Sequence, residues 1–167
     1  STNEGFVSEY FFSKTLAIHS EVIFTSKGFN YYMEFLEGNQ KYYYTSINVG
    51  GKIENKINKD NRYYFMISPY LSYWLAGKAY QLDKKTGEEV EINIEFSGEY
   101  TDGTKFEYNR WDAGITLATG IKHKFSGRRF GFLDIRYEFG MIHSGKENVD
   151  GTFNRVFSIN LGYLFTL

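Results

Sequence analysis

Cysteine is absent from the 167 residues, which excludes a disulfide framework, a thiolate nucleophile and any cysteine-based metal site. That absence does not fix a compartment. Proline occurs once, and no uninterrupted apolar run approaches the roughly eighteen residues of a membrane-spanning helix. The opening residues, STNEGF, carry neither the basic stretch nor the apolar core of an export signal, so any such signal is expected to have been removed. An excess of one charge is missing too: 19 Lys and Arg face 20 Asp and Glu, a formal net charge of −1. The lysines are scattered, so nucleic acid is not an expected partner. Alanine and leucine are sparse, which disfavours helix.

What is present is aromatic. Phe, Tyr and Trp make up 20% of the residues, a composition that suits β-strands. At the end of the chain, RVFSINLGYLFTL sets Phe157, Ile159, Leu161, Tyr163, Phe165 and Leu167 on alternate positions, with Ser158, Asn160, Gly162 and Thr166 between them. A period of two puts the two sets on opposite faces of a strand. The same pattern predicts strands at about 5–12, 15–27, 41–54, 62–79, 110–125, 129–142 and 154–167 of a single domain, 1–167. Several exceed the nine to eleven or so residues that cross a bilayer at a tilt, so their outer ends are expected to project.

The connections alternate in size. SKT, KINKDN and FSGRR are short, whereas 28–41, 80–109 and the segment SGKENVDGTF are long or rich in glycine and charge. Short turns at one end and large loops at the other are the asymmetry of an outer-membrane barrel. VEINIEF, inside the middle long loop, itself alternates and predicts a two-stranded extension beyond the membrane. The expected fold class is all-β: an antiparallel up-and-down transmembrane β-barrel. A negative mean hydropathy fits that class, since each strand shows only half its side chains to lipid. Single-chain bacterial barrels have an even number of strands. Seven strands therefore imply an eighth, either in a part of the natural chain outside these residues or supplied by a partner.

Charge placement argues which face meets which solvent. In RFGFLDIRYEFGMIH, Leu133, Ile135, Tyr137, Phe139 and Met141 share one face, and Asp134, Arg136, Glu138 and Gly140 the other. In RWDAGITLATGIKHKF, Trp111, Ala113, Ile115, Leu117 and Ile121 oppose Asp112, Gly114, Thr116, Ala118, Gly120 and Lys122. TLAIHSEVIF sets Leu16, Ile18, Val22 and Phe24 against Ala17, His19 and Glu21. Met66, Tyr70 and Trp74 are expected inside with Ser68 and Ser72, filling a narrow barrel. The rival is a soluble lipocalin-type barrel, apolar within and polar without. It would have to pack six or so large side chains per strand pair into its cavity and leave the glycines outside, where they serve no purpose, whereas crowding inside a small barrel favours lumenal glycine. Tyr42 to Tyr44, Tyr63 and Trp111 fit interfacial aromatic girdles, or simply strand propensity.

The expected lumenal polar network is Glu9, His19, Glu21, Asp112, Lys122, Asp134, Arg136 and Glu138. Charges withdrawn from water must be paired, so Arg136 is expected to be held by at least one of Glu21, Asp134, Glu138 or Asp112. An eight-stranded interior is just wide enough for side chains to fill it. That favours a structural plug over a diffusion pore, with an ion- or proton-conducting gate as the alternative. The last residues, NLGYLFTL, resemble the C-terminal signal read by the outer-membrane insertion machinery, carried by Asn160, Gly162, Phe165 and Leu167.

Catalytic readings are weak. His19 and Ser20 are adjacent, so in a strand they point to opposite faces and cannot pair directly as base and nucleophile. His143 stands beside Ser144 without an identifiable acid, and His123 lies next to a short turn. No metal-spaced cluster, phosphate-cradling loop or nucleophile elbow is present, and no cofactor is expected.

The residues also carry a family resemblance over nearly the whole chain. SPYLSYWLAGKA, DAGITLATGIKHKF and GFLDIRYEFGMIHSG, with the hairpin GFVSEYFFSKTLAIHSEVIFTSKGFNYY, resemble the outer-membrane β-barrel domain common in Bacteroidetes, the class that includes PorT-like proteins. The sequence departs from that pattern at Ser46, Ser68 and Ser72, and the family's glycine-rich opening strand is missing. The resemblance implies an eight-stranded barrel in the outer membrane, some members serving type IX secretion, with no catalytic residues to carry over. The expectation is a non-enzymatic scaffold or accessory subunit of an envelope assembly. Its partners would be outer-membrane lipids and lipopolysaccharide, with other envelope proteins meeting loops 28–41 and 80–109. An enzyme modifying lipid A or other lipids, and a soluble ligand-binding barrel, are the alternatives.

Overall fold

Aromatic and β-branched residues at every second position suit a pleated, half-buried surface, and the computed structural model is built from strands throughout. It describes residues 3–32, 36–84, 86–99, 105–127, 129–143, 145–147 and 153–165, with no helix among them. The strands are β1 (Asn3–Phe11), β2 (Leu16–Tyr32), β3 (Leu36–Lys56), β4 (Asn61–Asp83), β5 (Glu89–Asn93), β6 (Ser97–Glu99), β7 (Lys105–Tyr108), β8 (Trp111–Ser126), β9 (Arg129–His143), β10 (Gly145–Glu147) and β11 (Phe153–Phe165). The seven expected strands form one antiparallel sheet in the order β1-β2-β3-β4-β8-β9-β11.

At one end the turns are short, and side chains or glycine define them. Ser13 Oγ accepts the N–H groups of Thr15 and Leu16 at 3.2 and 2.9 Å. Asn58 Oδ1 accepts those of Asp60 and Asn61 at 3.0 and 2.8 Å. Such self-bonded Ser and Asn turns replace the ladder partners the chain loses on reversing. Gly127 makes the third turn with φ of 54°, a left-handed conformation that side chains resist.

At the other end one expectation is corrected and another is met. The expected loop 28–41 is mostly strand: β2 continues to Tyr32, β3 begins at Leu36, and Gly28 pairs with Lys41. The aromatic residues there extend the hairpin rather than interrupt it. In the segment 80–109 most of the described residues are likewise in strands. β4 runs to Asp83 and returns as β5, with Leu82 opposite Glu89 and Lys78 bonded to Glu91. This hairpin is the predicted extension built on VEINIEF. Beyond it, β6 and β7 join β10, which follows β9 in the chain, in a separate three-stranded sheet, β10-β7-β6.

The long sheet curls so that strands far apart in its order touch through their side chains. Lys122 of β8 reaches Glu9 of β1, Lys27 of β2 reaches Glu138 of β9, and Arg136 of β9 reaches Glu21 of β2. Its two edges, β1 and β11, are not paired with each other among the described residues, so the seven strands do not seal a barrel by themselves.

The two faces separate sharply. Leu133, Ile135, Phe157 and Ile159 are 51, 46, 65 and 67% exposed, whereas Asp134 and Arg136 are 1 and 5% exposed. Met66, Tyr70, Trp74, Ser68 and Ser72 are all buried. A belt of this breadth far exceeds the apolar patches soluble monomers expose. The lipocalin alternative requires the reverse arrangement.

One girdle assignment is corrected. Tyr63 and Trp111 do lie outward, but Tyr42 and Tyr44 pack on lumenal Trp74, with ring centroids 5.1 and 6.4 Å away. A bulge explains the crowding there: Tyr43 pairs with Ala76 and Tyr44 with Trp74, leaving Leu75 without a partner on β3. Leu75 and Ala76 both face outward, and inward parity resumes at Gly77 and Ala79. An extra residue on one strand shifts its facing in this way.

Candidate functional site in the barrel lumen

Alternation delivers one inward side chain every two residues from each strand, and in this chain many of them are acidic or basic. Nearest the short turns, Glu9 accepts from Lys52 Nζ at 2.5 Å and from Lys122 Nζ at 2.7 Å. Glu54 lies 2.8 Å from Lys122 and 3.3 Å from Lys52, and Arg62 Nη1 donates to it at 2.7 Å. The Lys52 ammonium also stands 3.8 Å from the centre of the Tyr64 ring, a cation–π contact.

His19 joins this cluster to the next. Its Nδ1 is 3.3 Å from Glu9 Oε1 and its Nε2 3.2 Å from Glu21 Oε2. An ionised carboxylate only accepts, so satisfying both contacts takes an N–H on each ring nitrogen. Glu21 also accepts from Arg136 Nη1 and Asn48 Nδ2, each at 2.6 Å. Arg136 then grips Asp134 with two parallel bonds of 3.0 Å, the bidentate geometry its planar fork favours. Tyr64 Oη and Asn160 Nδ2 donate to the same carboxylate at 2.7 and 2.9 Å.

Toward the long loops, Asp112 accepts from Tyr70 Oη at 3.2 Å and Asn154 Nδ2 at 2.9 Å. Lys27 donates to Glu138 at 2.7 Å. Above them Trp74 is enclosed by Tyr42, Tyr44, Phe96 and Tyr108. Arg110 donates twice to the Trp74 carbonyl and lies 4.0 Å from the centre of the Phe96 ring.

All eight residues expected in the network lie in the lumen, and Glu9, His19, Glu21, Lys122, Asp134 and Arg136 belong to one connected set. Arg136 is held by Glu21 and Asp134; Glu138 and Asp112 instead take Lys27, and Tyr70 with Asn154. Lys52, Glu54 and Arg62 were not anticipated, although Ser46, Asn48, Lys52 and Glu54 keep a single parity that could have shown them. Of the terminal signal, Asn160 does more than mark an end, since its side chain bonds Asp134. Gly162 faces inward against the Phe132 ring, the Phe165 backbone pairs with Arg129, and Leu167 lies outside the described residues.

Chemically, the arrangement clamps strands together and occupies the lumen with fixed ion pairs. Histidines elsewhere have other neighbours: His123 is bonded to Asn61 at 2.7 Å, and His143 packs edge-on against Phe153. Ser144 lies outside the described residues. Among the described residues no group of three or more His, Asp or Glu is placed to hold a metal ion.

No curated protein and no solved structure matches this chain. Residues 2–145 match the family model described as the outer membrane protein beta-barrel domain. With an antiparallel sheet that is oily outside and charged within, the chain belongs to that family and is an integral β-barrel of the bacterial outer membrane.

Proposed function

We propose that this barrel is a non-enzymatic scaffold or accessory subunit of an envelope assembly, of the PorT-like kind that serves type IX secretion or surface export. The observation that carries the reading is the cross-lumen ion-pair network. A core committed to holding strands together leaves the molecule's ends and outer surface as its working parts. The extension formed by β4–β5 and the small sheet β10-β7-β6 present strand edges beyond the membrane, and such edges recruit other chains by strand pairing. On this reading the extension meets lipopolysaccharide and envelope partners, while Asn160, Gly162, Phe165 and Leu167 address the insertion machinery during biogenesis.

The test is co-purification from native membranes in mild detergent, followed by incubation of the pure barrel with lipopolysaccharide. A companion in fixed stoichiometry and an unchanged lipid A are the expected results. Repeated recovery of the barrel alone, or turnover of lipid A, would overturn the reading.

A further inference from the structure

The two ends of the barrel are oppositely charged. Where the short turns mark the periplasmic end, 12–15 holds Lys14, 55–62 holds Lys56, Lys59 and Arg62 around a single acid, Asp60, and 123–130 holds Lys124, Arg128 and Arg129 with no acid. At the external end acids outnumber bases, as in EEVEINIE within 80–109.

Facing along the strands decides where the basic groups point. Lys56 keeps the inward parity of the buried Lys52 and Glu54, and Lys124 that of the buried Lys122, whereas the outward residues beside them are Tyr63, His123 and Phe125. An aromatic outer rim suits the headgroup boundary. These lysines therefore surround the opening of the lumen, and the lipid side is left to rings.

Register crowds the charges further. Lys56 stands directly opposite Arg62, and Arg62 directly opposite Lys122, so three like charges lie side by side across β3, β4 and β8, an arrangement that destabilises a sheet unless it is neutralised. Glu54 pairs with Arg62 and Lys122. Lys14, Lys56 and Lys124 have no ion-pair partner among the described residues. Lys14 and Lys56, with Arg62, line a cavity of about 580 Å³ whose wall includes Phe11 and Thr15 and behind which Glu54 is buried. A second copy cannot neutralise them. In the same membrane orientation it presents the same basic end, and its acidic end lies across the bilayer.

We propose that the periplasmic mouth of the barrel is a docking site for an acidic segment of another envelope protein, whose carboxylates meet Lys14 and Lys56 in the cavity, with Lys124 continuing the basic rim on β8. Complementary charge of this kind steers encounter and fixes register, and salt weakens it. The inference goes beyond the scaffold reading, which places its partners at the external end, and does not depend on it.

The test titrates the full chain, in neutral-detergent micelles, with fluorescein-labelled hexaglutamate and with hexalysine as the control, while heat-modifiable gel migration reports folding. Saturable binding of hexaglutamate alone is expected. Lys14→Gln with Lys56→Gln should weaken it about fivefold, whereas Lys59→Gln with Arg129→Gln, which removes the same charge outside the cavity, should leave it within about twofold. No binding, or equal losses in the two double variants, overturns the proposal. If the Lys56 change impairs folding, Lys14→Gln alone, in an exposed turn, must still lower the affinity. Photo-crosslinking from Thr15 in the native outer membrane then identifies the occupant. An Asp- and Glu-rich stretch of another protein is expected; a phospholipid adduct, a stretch without acids, this chain itself or no adduct overturns the proposal. Recovery of the barrel with or without a companion leaves the hexaglutamate titration unmoved, so the two readings fail separately.

Discussion

Arg136 of β9 and Glu21 of β2 are 115 residues apart in the chain and 2.6 Å apart across the lumen. Both side chains are almost wholly buried. Removing one partner strands the other as an uncompensated charge, a larger loss than the pair's own net contribution. Arg136→Ala is therefore expected to destabilise the barrel by about 3–5 kcal/mol, read as a lower denaturant midpoint for loss of the heat-modifiable form. A double replacement, Arg136→Met with Glu21→Leu, is expected to cost less than the two single substitutions added together. Unchanged resistance in Arg136→Ala would count against the plug.

Glu9 and Glu54 share Lys52 and Lys122 in the cluster nearest the short turns. Residues in one network do not contribute independently, and coupling of about 0.5–3 kcal/mol is the usual range. A double-mutant cycle on Glu9→Gln and Lys122→Met, followed by urea unfolding in micelles, should return a coupling inside that range. Strict additivity would show that the two groups are not in contact.

Ile135 lies at mid-strand on the outer face, beside Thr119 of β8. An arginine placed there meets hydrocarbon, and Ile135→Arg should cost about 2–4 kcal/mol. Tyr63, two residues from the Asn61 end of β4, lies near the interface, where the same change should cost about 0–1 kcal/mol. Equal costs in lipid vesicles would contradict the assigned membrane depth.

Gly50 and Gly51 are neighbours with opposite tolerance. A Cβ at Gly50 would collide with the Ile67 carbonyl oxygen and the Ser68 side chain, whereas one at Gly51 meets nothing within 4 Å. Gly50→Ala should lower folding yield and stability, and Gly51→Ala should leave both nearly unchanged. Thermal gel-shift curves of the two variants separate them.

Outside the membrane, the Glu91 carboxylate raises the Lys78 ammonium above its ordinary value. A raised lysine contributes its stabilisation fully at neutral pH and loses it as pH climbs through the raised value. The small contribution of this exposed ion pair to the β4–β5 hairpin should accordingly be complete at pH 7 and be lost only in strong alkali. In Glu91→Gln, an NMR titration of Lys78 should return toward the ordinary lysine range.

Much of the architecture was readable from residue order. Leu133, Ile135 and Tyr137 alternating with Asp134, Arg136 and Glu138 assign both faces of β9, because a strand admits only two. Short turns such as 57–60 were visible through Asn58 and its neighbours. The lumenal membership of Lys52 and Glu54 was harder to see, since the flanking Gly50–Gly51 pair interrupts the apolar alternation that marks a strand. Tyr42 and Tyr44 misled for another reason: an aromatic ring suits a membrane interface and a crowded lumen equally well.

The sequence by itself determined which residues face oil and which face each other within a strand, because alternation is a property of the extended backbone alone. It could not determine which inward charges meet. The pairing of Arg136 with Glu21 and Asp134, of Lys27 with Glu138, and of Lys122 with Glu9 and Glu54 depends on sheet curvature and strand register. Only the tertiary structure sets these. The unpartnered Leu75 shows the same division: one extra residue on β4 reverses its facing from Ala76 onward, a shift that exists only in relation to the strand beside it.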